Sequence, residues 1–330
     1  MPAAARPTTL SAEDIARARN IGSQIRGRFA QTLVGQDNLR ESLITTLVAG
    51  GHILIESVPG LAKTTAAQTL ATSVSGSFKR VQCTPDLMPS DLVGTQVFDF
   101  ATQKFSTQIG PIHANFVLLD EINRSNAKTQ SAMLEAMAEG ATTIGGQRIA
   151  LPKPFMVIAT QNPIEEEGTF NLPEAQMDRF LIKTTIGYPS HDVSVSILKQ
   201  VNVTDRASTV HAVLTGNDVL RMRAISETVH LDDAILEYIV RLVEATRHNE
   251  RIQVGSSMRG ALALTRCARV WAASDNRGYV VPDDVKNLAV PVLAHRITLT
   301  AEATFAGNTP EQMIGQILED VPAPTLGANA

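Results

Sequence analysis

Two kinds of hydrophobic pattern divide the chain near residue 190. Before that point, short apolar runs occur, several of them continuous rather than alternating, as expected of strands covered on both faces. The five predicted strands are residues 52–56, 78–83, 116–120, 155–161 and 180–186. Helix-like stretches separate them, and one of these begins at a Ser/Asn cap and ends at Gly140. This alternation predicts a parallel α/β sheet of five strands, doubly wound by helices.

After Pro189 the strand signal disappears and amphipathic helices replace it. Two helices each place four apolar residues on one face: Ile235, Ile239, Leu242 and Val243 in the first, and Ala261, Leu264, Ala268 and Trp271 in the second. A third predicted helix opens with the capping sequence VPDD. We therefore predict an α/β domain over residues 1–200, a smaller all-helical domain over 201–320 and a flexible tail over 321–330.

Composition adds limits to this picture. The chain has 330 residues, 44% of them apolar, and a net charge of −4 from 29 basic and 33 acidic residues. No run of like charges is longer than Glu165–Glu167, which argues against nucleic acid as a partner. Cys83 and Cys267 lack neighbours at metal-ligand spacing, so both are predicted to be reduced packing residues. The N-terminus lacks the apolar core of a signal peptide, and no stretch is apolar enough to insert into a membrane, so we expect a cytoplasmic protein.

The loop after the first strand, IESVPGLAKTT at 55–65, resembles a phosphate-binding loop with two substitutions. The signature G-x-x-x-x-G-K-[ST] aligns on Lys63 and Thr64, which leaves Ser57 and Ala62 where glycines are expected. Lys63 can reach the β and γ phosphates, and the Thr64 hydroxyl can bind Mg²⁺. Ala62 is tolerated if it begins the helix. An ordinary turn with a surface lysine would also fit this stretch alone.

Polar residues also end two later strands. The predicted strand FVLLD ends at Asp120 and is followed directly by Glu121, and Asn162 follows the strand FMVIATQ. Asp120 is predicted to hold Mg²⁺ through water and Glu121 to activate the attacking water, while Asn162 could contact the γ-phosphate or that water. Solvated acids at a strand end and a simple Asn-Pro turn are the alternative readings.

Two arginines complete the candidate site. Arg179 precedes the fifth strand, and Arg259 lies in the first turns of a helix in the second domain. Either guanidinium could meet phosphate oxygens, and either could be a surface ion-pair partner instead.

Taken together, these motifs resemble the AAA+ ATPases, and the strings themselves resemble the MoxR family within them. The resemblance runs from about Val34 to Arg296 and rests on five separated segments: 33–71, 84–98, 110–140, 159–180 and 281–297. It implies an α/β nucleotide domain with a helical lid, ATP and Mg²⁺ as ligands, and a ring, usually a hexamer, with ATP at subunit boundaries.

The resemblance also implies roles for individual residues. Lys63 and Thr64 belong to Walker A, Asp120 and Glu121 to Walker B, Asn162 to sensor 1, Arg179 to a finger acting in trans and Arg259 to sensor 2. The remaining nucleotide-binding residues that it implies are Val34 and Gly35 near adenine, and Pro59, Gly60, Leu61, Ala62 and Thr65 in the loop.

Two further segments are candidates for contacting a client protein. Residues at about 91–111 look like the helix-2 insert of the family, and TTIGGQRIALPKPF, at 142–155, looks like the hairpin before sensor 1. Because the family often has a proline before the lid arginine, where this chain reads SSMRGA, the start of that helix can differ. Whether Arg259 acts in cis or in trans stays open, as do the role of Arg124 and the effect of Ser57.

The function that the resemblance implies is Mg²⁺-dependent ATP hydrolysis coupled to remodelling, maturation or activation of a partner complex. The partner could carry a von Willebrand factor A domain, and the work could include metal-cofactor insertion. Two alternatives are a motor subunit of a metal-chelatase-type complex, which would need a tetrapyrrole-handling partner, and a non-catalytic nucleotide-binding scaffold, against which Glu121 argues.

Overall fold

A computed structural model describes the chain over residues 22–29, 35–58, 63–163, 169–170, 172–188, 190–199 and 211–325. The described residues form two compact units. One lies within residues 24–219, and the other combines residues 22–23 with residues 220–325. The domain boundary predicted near residue 200 falls next to 200–210, outside the described residues.

The first unit contains the five predicted strands in one parallel sheet, which confirms the α/β expectation. The strands are β1 (Ile53–Ser57), β2 (Phe78–Gln82), β5 (Phe116–Asp120), β8 (Met156–Gln161) and β9 (Ile182–Ile186), in the order β2-β5-β8-β1-β9. Its helices are α1 (22–29), whose first two residues are assigned to the other unit, α2 (Asp37–Ala49), α3 (Lys63–Ser73), α4 (Pro89–Val93), α5 (Ala127–Glu139), α6 (Glu174–Met177) and α7 (His191–Lys199). Every strand pairing in this sheet is parallel.

Alternate residues of the central strands bury opposite faces of this sheet, which explains why the runs are continuously apolar. Val117 and Leu119 of β5 and Val157 of β8 pack in one cluster with Met133 and other residues of α5. The intervening residues are equally buried, and α3 lies against β5, while α2 lies against β1 and β9. Helix α5 begins at an Asn126 cap, whose side chain accepts a bond from Thr129 N–H, and ends at Gly140 with φ 58°.

Two antiparallel hairpins extend this unit. The first pairs β3 (Gly94–Asp99) with β4 (Lys104–Ile109), and the second pairs β6 (Ala141–Ile144) with β7 (Gln147–Ala150). They touch, because the Gln96 side chain lies over Gly145, where φ is 56° and a side chain would collide. Three phenylalanines cluster on the first hairpin, with Phe98 edge-on to Phe100 and Phe105.

The second unit is a helical assembly with a small ribbon. Its helices are α8 (Gly216–Glu227), which crosses the division between the units, α9 (Asp233–His248), α10 (Met258–Ser274), α11 (Pro282–Leu293), α12 (Ala301–Phe305) and α13 (Pro310–Asp320). The apolar faces predicted for α9 and α10 are buried, except that Trp271 is half-buried. A short antiparallel pair of strands, β10 (Ile252–Val254) with β11 (Thr298–Leu299), was not predicted from the sequence. Runs of three and two residues are too short to give a periodic signal.

No helix among the described residues is long and apolar enough to cross a membrane.

Candidate nucleotide-hydrolysis site

The polar residues that end the central strands lie at one edge of the sheet, because β1, β5 and β8 run parallel. In open α/β sheets, ligands bind at this carboxyl edge. Lys63 begins α3 directly after the candidate phosphate loop, is 9% exposed and acts electrostatically on Asp120. The structure therefore places Lys63 of the first motif within electrostatic reach of Asp120 of the second. Val34 and Pro59–Ala62 lie outside the described residues.

Asp120 is held by a donor on each carboxylate oxygen. The Thr160 hydroxyl donates to Oδ1 at 2.7 Å, and the Arg80 guanidinium donates to Oδ2 at 2.6 Å. Burial would raise the pKa of this carboxyl, but the bonds from Thr160 and Arg80 and the charges of Arg80 and Lys63 hold it below its ordinary value. Asp120 is therefore a fixed, ionised carboxylate at neutral pH, as a metal ligand must be.

Glu121 is adjacent in sequence, but its carboxylate has different partners from that of Asp120. Its backbone is left-handed, with φ 57°, a conformation that a glutamate rarely adopts. Its N–H donates to the Thr160 hydroxyl at 2.9 Å, and its Oε2 lies 2.9 Å from Gln82 Nε2 and 3.2 Å from Arg124 Nε. Backbone strain of this kind concentrates at functional sites. Here the strained residue is Glu121, and its carboxylate has hydrogen-bond and ion-pair partners that differ from those of the neighbouring Asp120 carboxylate.

Three residues of this cluster were not predicted from the sequence. Thr160, which is fully buried, bridges Asp120 and the Glu121 backbone, while Arg80 and Gln82 come from β2. Arg80 also donates to the Gln82 side chain at 3.3 Å. A usable signal existed, because residues two apart on a strand share a face, and β2 carries Arg and Gln at such positions near its carboxyl end. Thr160 likewise lies two residues before Asn162.

A further unpredicted cluster lies just before the phosphate loop. Glu56 of β1 accepts a bond from Gln161 of β8 and pairs with Lys183 of β9, with 2.9 Å between Lys183 Nζ and Glu56 Oε2. These contacts tie three strands together beside Ser57. Ser57 is 2% exposed, and its hydroxyl donates to the Val58 carbonyl at 3.2 Å, so it ends the strand as a buried, hydrogen-bonded residue.

The other predicted residues lie in several places. Asn162 is 5% exposed and directly follows β8. Arg179 is exposed, and its Nη1 donates to the Leu134 carbonyl of α5 at 2.7 Å. Gly35 has φ 72°, and a side chain there would collide with Val193 of α7. Arg259 belongs to the second unit, where its N–H donates to the Ser257 hydroxyl at the start of α10.

The donors suit Mg²⁺. Thr64, the second residue of α3, offers a hydroxyl and Asp120 a carboxylate, and Mg²⁺ prefers oxygen ligands of this kind, usually one or two from the protein together with substrate phosphates. In the part of the chain that the structure describes, no group of three or more His, Cys, Asp or Glu residues is arranged to hold a metal.

The α/β sheet, the helical second unit and this edge of polar residues define a nucleotide-binding domain with a lid. Comparison with known proteins agrees. Residues 52–182 match the model of the ATPase family associated with various cellular activities (AAA), and residues 244–317 match the AAA lid domain. Chaperone MoxR1 of Mycobacterium tuberculosis is 42% identical over 305 residues, which cover 90% of this chain and 80% of the relative.

Two other similarities span nearly the whole chain. YeaC of Bacillus subtilis, an uncharacterized protein, is 42% identical over 294 residues, covering 89% of this chain and 92% of the relative. A crystal structure of a candidate ATPase from Cytophaga hutchinsonii superposes with a TM-score of 0.88 at 39% identity, covering 95% and 98% of the two chains. The chain belongs to the MoxR family of AAA+ ATPases, and it is an ATPase.

Proposed function

We propose that this ATPase is Mg²⁺-dependent and uses hydrolysis to remodel, mature or activate a partner protein complex. The proposed catalytic role rests on one observation: the two adjacent acids at the end of β5, Asp120 and Glu121, have carboxylates held by different partners. Asp120 is fixed by Thr160 and Arg80, whereas Glu121 is turned by its left-handed backbone toward Gln82 and Arg124. One carboxylate can thus serve a metal while the other serves water.

The roles at the site follow from these positions. Lys63 neutralises phosphate charge, and Thr64 and Asp120 would hold Mg²⁺, which supplies charge stabilisation to the transferring phosphoryl group when it is bound. Glu121 orients the attacking water and accepts its proton. Asn162, buried after β8, hydrogen-bonds the γ-phosphate or the same water. The family resemblance, rather than a described contact, supports nucleotide binding by Val34, Gly35, the loop residues 59–62 and Thr65.

We propose further that the chain forms a ring, with a hexamer as the expected size, and that a neighbouring subunit completes each site. Arg179 supports this role because its guanidinium is exposed yet anchored on α5 by the bond to Leu134. It would stabilise transition-state charge in the neighbour's site. Arg259, at the exposed start of α10, would contact phosphate in its own or the adjoining site.

The client surface that we propose is the first hairpin, within the expected insert at about 91–111, together with the adjoining second hairpin. Phe98, Phe100 and Phe105 are 38%, 87% and 67% exposed, and exposed apolar patches commonly mark interaction sites. A relative at 42% identity is named as a chaperone, which supports a protein client. A von Willebrand factor A domain in the client, a role in metal insertion and a cytoplasmic location remain proposals.

A metal-chelatase motor subunit is the second candidate, since it would use the same hydrolytic site. The relatives reported above favour the MoxR reading. The two differ in the partner, because a chelatase motor requires a tetrapyrrole-handling subunit. A non-catalytic scaffold is disfavoured by Glu121.

The experiment is capture of the client by a hydrolysis-deficient variant. Glu121→Gln, held in ATP and Mg²⁺, should retain specific proteins from a lysate of the source cells and release them in ADP. The matched control is Glu121→Gln combined with Phe100→Ser and Phe105→Ser, which should bind ATP equally and lose the captured proteins. ATP-independent capture, or identical capture by both variants, would contradict the proposed client role of the hairpin. Enrichment of tetrapyrrole enzymes would favour the chelatase alternative.

A further inference from the structure

Arg80 occupies the carboxylate that we assign to the metal. Its Nη2 lies 2.6 Å from Asp120 Oδ2, while Thr160 donates to Oδ1 at 2.7 Å. Both oxygens of the carboxylate therefore already have a donor. A metal that approaches Asp120, directly or through a bound water, must share it with a positively charged side chain.

The two donors differ in how easily they can leave. Thr160 is fully buried on a central strand, and its hydroxyl is also fixed by the bond from the Glu121 N–H. The Arg80 side chain is 49% exposed and lies on β2, an edge strand of the sheet. A long, half-exposed guanidinium can move into water at small cost. Of the two contacts, the one with Arg80 is the exchangeable one.

This inference rests on the proposed function: we infer that Arg80 is a resident cation on Asp120 that would leave the carboxylate when Mg²⁺ and nucleotide bind. In the empty site it neutralises a carboxylate whose desolvation is otherwise unfavourable. In the loaded site its positive charge would repel the metal, so it withdraws from Oδ2 toward solvent. Arg80 is thus a positioning residue that sets the metal concentration required by the site.

If Arg80 instead helped to bind the metal, its removal would have the opposite effect on metal affinity. If Arg80 remains in place and holds Asp120 in the orientation that the metal needs, its removal weakens metal binding. Competition predicts that removal strengthens metal binding. The sign of one measured shift therefore separates the two roles, and a merely structural contribution to folding produces neither shift.

The test is a Mn²⁺ titration, followed by electron paramagnetic resonance, of protein saturated with a non-hydrolysable ATP analogue. Arg80→Gln should lower the half-saturating Mn²⁺ concentration by about threefold to fivefold, the shift expected from losing one half-exposed ion pair. Lys286→Gln is the control, because it removes a positive charge from a surface pair with Asp283 on α11, and it should leave the concentration unchanged. An unchanged or raised value for Arg80→Gln overturns the inference.

A nucleotide-binding measurement and a second variant distinguish a failure of this inference from a failure of the proposed function or of folding. Affinity for a fluorescent ATP analogue in EDTA should be equal in the parent and Arg80→Gln, because competition acts on the metal. A parent that binds no nucleotide in any condition refutes the proposed function instead. If Arg80→Gln does not fold, Arg80→Lys, which keeps the charge on a shorter reach, should still lower the half-saturating concentration. A value at or above that of the parent overturns the inference there also.

Discussion

Thr160 is the residue on which both acids depend, so its hydroxyl gives a sharp test of the site. Thr160→Val keeps the shape of the side chain and removes the one group that both donates to Asp120 Oδ1 and accepts from the Glu121 N–H. The side chain is fully buried, so water cannot readily replace it. The variant should fold, but with a destabilised first unit.

The expected magnitude comes from the two lost bonds. A hydrogen bond to a charged group contributes about 1.5 to 3 kcal/mol, and leaving a partly buried N–H unpaired costs about 1 kcal/mol or more. Because neighbouring terms are not additive, we expect a loss of about 3 kcal/mol. In a unit of this size that loss lowers the thermal midpoint by roughly 6 to 12 °C.

The loss should also depend on pH. Thr160 helps to hold the pKa of Asp120 below its ordinary value, against the opposing effect of burial. A carboxyl with a depressed folded pKa stabilises the protein above its unfolded pKa, and this stabilisation disappears as the pH falls through the folded value. The difference between the parent and Thr160→Val should therefore be widest at neutral pH and should narrow below about pH 4.

The assay is urea unfolding at pH 7 and at the lowest pH where both proteins fold, with hydrogen exchange of β5 to locate the effect. Thr46→Val is the matched control. Thr46 is also fully buried, but its hydroxyl donates only to the Ser42 carbonyl within α2, at 2.6 Å, so its removal should cost about 1 kcal/mol or less. Equal losses of stability in the two variants, or a stability difference between Thr160→Val and the parent that does not change with pH, would show that the Thr160 hydroxyl does not stabilise the ionised Asp120.

Three other predictions follow from separate parts of the molecule. Arg179→Ala should reduce ATP turnover by about 10³-fold at concentrations where rings form, and unchanged turnover would exclude a finger acting in trans. Mixing Arg179→Ala with Glu121→Gln should restore activity, because a mixed interface can combine an intact Glu121 with an intact Arg179. Asp284→Asn should destabilise the second unit by about 3 kcal/mol in urea unfolding, and a loss below 1 kcal/mol would contradict this. The Asp284 side chain is only 3% exposed and accepts bonds of 2.6 and 2.7 Å from Arg277, whose pKa it holds above the ordinary value. Cys83, whose pKa is raised to about 12, chiefly by burial, should resist iodoacetamide at pH 8 in the folded protein, and labelling as fast as in urea would contradict its burial.

The sequence predicted the sheet well because each central strand is buried on both faces, so that a continuous apolar run of the right length had one simple interpretation. It also assigned Lys63 and Asp120 to one candidate site, and in the structure the charge of Lys63 acts on Asp120. It missed Arg80 and Thr160 because their importance lies in pairing across strands. Strand order, which places β2 beside β5, is not encoded in either segment alone.

The ribbon of β10 and β11 was missed for a different reason. Ile252 and Leu299 are 47 residues apart along the chain and pair only because the intervening helices pack together. The left-handed backbone of Glu121 was likewise not predictable, since glutamate has no local preference for it. Strain of this kind is imposed by the surrounding fold, here by the bond from Glu121 N–H to Thr160.

The two acids at the end of β5 are proposed to divide the chemistry, with Glu121 activating water and Asp120 serving the metal. Glu121→Gln keeps the size of the side chain and removes its ability to accept a proton, and Glu139→Gln, at an exposed acid of α5, is the control. We predict that Glu121→Gln binds ATP with the affinity of the parent and that its single-turnover hydrolysis falls by about 10² to 10⁴-fold, while Glu139→Gln matches the parent in both. Hydrolysis by Glu121→Gln at the rate of the parent would show that Glu121 does not activate the attacking water.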